Sequence, residues 1–86
     1  MAHVKIYETH YCPYCTAAKQ LFNAKGVPFE TVDVSGDHET RRWLVSVTGQ
    51  RTVPQIFIDD QPIGGYTDAR ALDRRGELDR LLGRGA

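Results

Sequence analysis

Hydrophobic and polar positions alternate from His3 to Glu8, with Val4 and Ile6 on one face, and this two-residue period predicts a first strand. From Pro13 the period lengthens. Ala18, Leu21, Phe22 and Lys25 recur at helical spacing, and Gly26 ahead of Val27-Pro28 supplies a stop signal. The run FETVDV (29–34) sets Phe29, Thr31 and Asp33 opposite Glu30, Val32 and Val34 and predicts a second strand. SGDHETRRWLVSVTG (35–49) predicts a second helix, with Trp43, Leu44 and Val47 as its buried stripe and Gly49 as its end. VPQIFIDD predicts a third strand, and a tight Asp-Asp-Gln turn leads into QPIGG, a short fourth. YTDARALDRRGELDRLLGRGA supplies one or two closing helices through Leu72, Leu78, Leu81 and Leu82, and its last few residues are expected to fray.

The predicted order is therefore β-α-β-α-β-β-α. Two strands joined by a helix within about 30 residues imply a parallel pair with a right-handed crossover. The third and fourth strands are too close in sequence for a crossover and must form an antiparallel hairpin. The expected fold is α/β, a four-stranded mixed sheet with flanking helices in one domain spanning 1–86.

Composition narrows the function. Eleven basic residues balance eleven acidic ones, so there is no basic face of the kind that draws nucleic acid or an anionic membrane. No apolar run approaches the ~20 residues of a membrane span. The opening MAHVKIYET reads directly as a strand rather than as a signal peptide. Two cysteines are too few to staple a secreted fold of 86 residues, so a reducing, cytoplasmic setting is expected.

Both cysteines lie in ETHYCPYCTAAK, two residues apart. A structural zinc site needs four ligands, and His3, His10 and His38 include no pair spaced like that of a zinc finger, so no metal is expected. A permanent clip is equally weak, because closing a two-residue loop stabilises little. Position favours a reactive pair. Cys12 falls at the cap of the first helix, with Pro13 at the first helical position, where a missing N–H costs nothing. Unpaired N–H groups and the positive end of the helix dipole there favour a thiolate. Cys15 lies one turn further in and is expected to be more buried, with the higher pKa.

Magnitudes indicate what an acidified Cys12 is for. A fall in pKa from about 8.5 to about 5 raises the thiolate fraction at pH 7 roughly 30-fold. A Brønsted slope of ~0.5 lowers intrinsic nucleophilicity by a similar factor. Attack is hardly accelerated, whereas departure from a mixed disulfide becomes easier.

Three motifs in order, CPYC (12–15), TVP (52–54) and GGYTD (64–68), make the chain resemble a glutaredoxin, a small bacterial-type dithiol one in particular, over nearly its whole length. The resemblance implies a thioredoxin-like fold and a glutathione-dependent thiol–disulfide oxidoreductase. Such an enzyme reduces protein–glutathione mixed disulfides through Cys12 alone and protein disulfides through Cys12 and Cys15. It implies glutathione as a reducing co-substrate, no tightly bound cofactor, disulfide-containing or glutathionylated client proteins as partners, and a monomer. By the same resemblance Pro54 follows a cis peptide, and the backbone of Val53, after Thr52, pairs with the cysteinyl part of glutathione.

Gly64 and Gly65 allow close backbone approach, and Thr67 or Asp68 can cap the following helix after Tyr66. The resemblance places the γ-glutamyl carboxylate at that helix start, with Asp68 on the α-amino group. Arg51, and after it Arg41, would meet the glycyl carboxylate, and Tyr14 would border the groove. Where many members carry a lysine three residues before the first motif cysteine, this chain has Thr9, followed by His10 and Tyr11.

Two rivals share this resemblance. Some members hold a [2Fe–2S] cluster between two protomers, but those tend to have a small residue after the nucleophile and often lack the second cysteine, unlike Pro13 and Cys15 here. Others take electrons from thioredoxin reductase and usually lack the pattern of GGYTD.

Overall fold

The computed structural model describes residues 2–83. Its order is β1 (Val4–Glu8), α1 (Pro13–Ala24), β2 (Glu30–Asp33), α2 (His38–Thr48), β3 (Gln55–Ile58), β4 (Gln61–Gly64), α3 (Tyr66–Arg74) and α4 (Glu77–Leu81). The expected fraying of the chain end falls on 84–86, outside the described residues. The closing segment forms two helices, because Gly76 adopts φ 74 between them.

The sheet order is β2-β1-β3-β4. β1 and β2 run parallel with Ile6 beside Thr31, and β1 and β3 run antiparallel with Ile6 beside Ile56. β3 and β4 form the expected antiparallel hairpin, with Ile58 beside Gln61. Its two-residue turn places Asp59 and Asp60 at φ 51 and 67, a geometry that aspartate tolerates better than most residues. Asp59 Oδ1 also accepts the His3 N–H at 2.9 Å, tying the turn to the start of β1.

Alternation along the two central strands makes a core on each side of the sheet. Val4, Ile6, Ile56 and Ile58 point to one face and pack against Ala18 and Phe22 of α1, Ala69 of α3, and Leu78 and Leu82. Full burial of Phe22 alone is worth about 1.5–3 kcal/mol. Tyr7 and Phe57 point to the opposite face, where they meet Val34 and Leu44 of α2.

On that second face the structure corrects the expected stripe of α2. Leu44 is buried, but Trp43 is 45% exposed and Val47 43% exposed. α2 covers this face alone, so residues flanking its line of contact stay open to water. Trp43 lies with one ring face over Phe57, 5.8 Å between centroids and 15° from parallel, and turns the other outward. Leu81, expected in the closing core, also reaches the surface, while Leu78 and Leu82 fill it.

Candidate active site

β1 ends at Glu8 and α1 begins at Pro13, so the intervening loop delivers Cys12 to the helix start. Cys12 is the N-cap residue, as expected from Pro13 at the first helical position. Its Sγ accepts the Cys15 N–H at 3.2 Å, as a capping oxygen would, and lies 3.7 Å from the Val53 carbonyl, to which the thiol donates. Tyr11 precedes it at φ 55 and is fully exposed.

Cys12 is partly buried and Cys15 only 1% exposed, and both are free thiols. Burial pushes the Cys15 thiol up to about 12. A hydrogen bond with Cys12 and the charges of Cys12 and Glu8 add to this, against a Thr9 backbone hydrogen bond that lowers it. Two chemically identical groups are thus made unequal within one helical turn.

Past Val53, which the Cys12 thiol contacts, lies a groove of about 370 Å³ that brings together Tyr14, Thr52, Val53, Pro54, Gly65, Tyr66, Thr67 and Asp68, adds Gln50, and leaves out Arg51 and Arg41 of the residues expected there. The Val53–Pro54 peptide is cis. Gln55, wholly buried, holds the loop by donating to Thr52 O at 2.8 Å and Gln50 Oε1 at 3.0 Å. Of the two caps considered for α3, Asp68 acts: its Oδ2 accepts the Gly65 N–H at 3.0 Å. Gly64 is required here, because at φ +104 any Cβ would run into the Asp68 carboxylate. Tyr14 and Tyr66 lie 6.3 Å apart across the groove.

Arg41 and Arg51 come together, with Arg41 Nη2 donating to Arg51 O at 3.4 Å. They line a larger neighbouring cavity of about 670 Å³ with His38 and Arg42, not the groove itself. That cavity holds neither sulfur.

A further cavity of about 410 Å³ is lined by both Cys12 and Cys15 and contains two residues that sequence reasoning passed over, Glu8 and Lys19. Glu8 Oε1 and Lys19 Nζ are 2.7 Å apart. The bond to Glu8 raises the Lys19 pKa, against the cost of burial, and the charges of Glu8, Cys15 and Cys12 raise it further. A signal existed: alternation puts Glu8 on the inner face with Val4 and Ile6, and Lys19 stands one turn beyond Cys15. Among the described residues, no three His, Cys, Asp or Glu side chains group as a metal site requires, and no helix is long and apolar enough to cross a membrane.

A capped dithiol at a strand-to-helix junction, facing the backbone before a proline across a four-stranded mixed sheet, defines a thiol–disulfide oxidoreductase of thioredoxin-like fold. Comparison narrows the class. The glutaredoxin family model matches residues 4–63. Glutaredoxin 3 of Escherichia coli (strain K12) is 50% identical over 82 residues, covering 95% of this chain and 99% of that protein. A glutaredoxin of Pseudomonas aeruginosa is 48% identical over 82 residues, covering 95% and 98%. Among solved structures, a buckwheat glutaredoxin–glutathione complex superposes with a TM-score of 0.88 at 32% identity, covering 93% of this chain and 76% of that one. The chain belongs to the glutaredoxin family. It is, as those proteins are, an oxidoreductase of thiols and disulfides that uses glutathione as co-substrate.

Proposed function

We propose that Cys12 is the exchanging thiol and Cys15 the resolving one. Cys12 attacks a protein–glutathione mixed disulfide, becomes glutathionylated and is released by free glutathione. With a protein disulfide, Cys12 forms the mixed disulfide, and Cys15 displaces the client to leave an internal Cys12–Cys15 bond that glutathione reduces. The observation that carries this division is the asymmetry of the pair: Cys12 is only half-buried and its thiol lies against Val53, which lines the groove, whereas Cys15 is buried one turn further in.

Glutathione occupies the groove in this reading, with its cysteinyl backbone along Val53 after Thr52, its γ-glutamyl end at Gly65, Thr67 and Asp68, and Tyr14 and Tyr66 against its stem. The helix start of α3 suits that carboxylate, since Gly65 to Asp68 line the groove and the helix dipole there favours an anion. Arg51 and Arg41 supply the positive charge for the glycyl end from their adjoining cavity, as the continuity of Arg51 with Thr52 allows. The protein works as a cytoplasmic monomer on glutathionylated and disulfide-bearing clients.

The test is a split between two activities. Cys15→Ser should keep deglutathionylation of a small mixed disulfide and lose protein-disulfide reduction by roughly tenfold or more. Cys12→Ser should lose both. Equal loss of both activities in the Cys15 variant would overturn the division, and wild-type protein that fails to turn over with glutathione would overturn the reading as a whole.

A further inference from the structure

The resolving step poses a problem that the glutathione groove does not address. Cys15 must attack as a thiolate, yet it is buried, and its thiol is held in the protonated form. Bonding Cys12 to a client removes part of that obstacle, since the hydrogen bond and charge of Cys12 no longer act. Burial and the negative charge of Glu8 remain.

The cavity behind Cys12 holds what would remove the rest. Glu8, at the inner end of β1, is 17% exposed in its side chain and faces the same space as Cys15. Lys19, from α1, is 34% exposed and pairs with it. The other titratable groups lining the space are accounted for. His10 Nε2 and Asp33 Oδ2 pair with each other at 2.9 Å on the outer rim, both well exposed. Tyr11 points to solvent, and Cys12 is bonded to the client at this stage. Glu8 is thus the inward carboxylate whose partner is a cation rather than a competing hydrogen-bonded His.

We propose that Glu8 receives the proton of Cys15 across this polar cavity, and that Lys19 then exchanges its carboxylate partner for the Cys15 thiolate. This inference rests on the resolving role given to Cys15 above. The exchange keeps the net charge of the site constant: carboxylate, ammonium and thiol become carboxylic acid, ammonium and thiolate. The transfer also removes the charge that opposes the thiolate and leaves Lys19 free to stabilise it. Cys15 Sγ then bonds to Cys12 Sγ as the Cys12–client bond breaks. The client leaves as a thiolate carrying the electron pair, and it takes its proton from solvent or from Glu8. The client disulfide is reduced by two electrons, and the Cys12–Cys15 pair is oxidised by two.

The experiment compares two activities in the same preparation: reduction of a peptide disulfide, which needs Cys15, and reduction of a glutathione–cysteine mixed disulfide, which does not. In Glu8→Gln the ratio of the first to the second should fall about tenfold or more at pH 7, within the range of general-base effects. The dithiol rate of that variant should also steepen with pH, rising about tenfold per unit as hydroxide replaces the lost base. Glu8→Asp should recover much of the ratio. Lys19→Gln, which leaves the carboxylate in place, should lower the same ratio and provides the test if the Glu8 variant does not fold.

A ratio that stays the same or rises in these variants would overturn the proposal, since simple relief of the Glu8 charge makes Cys15 more acidic. So would a fall of both activities in step, the mark of a structural role. Failure of the wild-type protein in the mixed-disulfide assay would count against the glutathione reading, whereas a change of ratio bears on Glu8 and Lys19 alone.

Discussion

Cys12 and Cys15 carry the same side chain one helical turn apart, and their surroundings give them different chemistry. Cys12 meets a helix N–H and the Val53 carbonyl and stays half-exposed; Cys15 meets the core, a hydrogen-bonded sulfur and a nearby carboxylate. Alkylation should read this difference directly. Native reduced protein treated briefly with iodoacetamide at pH 7 should gain one adduct, located by peptide mass spectrometry at Cys12, and unfolded protein should gain two. Equal labelling of both in the native state would contradict the burial of Cys15. The difference in burial was legible in CPYC, because a helix cap and a position one turn in are sequence properties. The source of positive charge was not. Thr9 stands where many family members carry lysine, and the cation beside these sulfurs comes from Lys19, which reaches them by packing of α1 on β1.

Helix starts do much of the work at the level of elements. The start of α1 carries Cys12 as its cap and presents Tyr14 to the groove, and the start of α3 presents Gly65 to Asp68 to the same groove. At α3 one carboxylate has two tasks, capping Gly65 N–H and facing the groove, and Gly64 leaves room for it. Asp68→Ala should raise KM for a glutathione mixed disulfide about tenfold with a smaller effect on kcat, as expected when a binding contact rather than a reacting group is removed. A fall in kcat with KM unchanged would place Asp68 elsewhere in the mechanism. GGYTD announced this element, although which of Thr67 and Asp68 would cap it was open until the backbone was placed. The stripe of α2 misled for a related reason. Trp43, Leu44 and Val47 follow helical period, but periodicity cannot tell how wide a surface one helix will cover, and only Leu44 is sealed.

Across the whole molecule the long-range polar contacts decide how the helices are fastened. Lys25, at the end of α1, is bound by Asp73 of α3 at 2.6 Å and Asp79 of α4 at 2.9 Å, so one ammonium joins three helices behind the core. The hydrogen bond to Asp73, then that to Asp79, raises its pKa above 10.5. A folded-state pKa above the unfolded one means that this contribution is full below pH ~10.5 and is lost as pH rises through the higher folded value. Lys25→Met should therefore cost about 1–2 kcal/mol near neutral pH, for a pair partly shielded from water. The loss corresponds to a drop in Tm of about 5–10 °C for a domain of this size. The gap to wild type should be steady from about pH 6 to 9 and narrow above the lysine range, with deglutathionylation at 25 °C unaffected. No gap in thermal melts at pH 7 would refute the clamp.

The sequence by itself determined the element order, the parallel β1–β2 pair, the antiparallel β3–β4 hairpin, the placement of Cys12 at a helix cap and the three motifs that identify the family. Each of these depends on local period, turn chemistry or short spacing, which are written along the chain. The tertiary structure alone decided that Glu8 and Lys19 share a cavity with the two sulfurs, that Arg41 and Arg51 adjoin rather than line the groove, and that Trp43 stays half in water. Those facts depend on which faces of separate elements meet. Residues 11 positions apart, as Glu8 and Lys19 are, or 41, as Cys12 and Val53 are, become neighbours only when the sheet and helices pack.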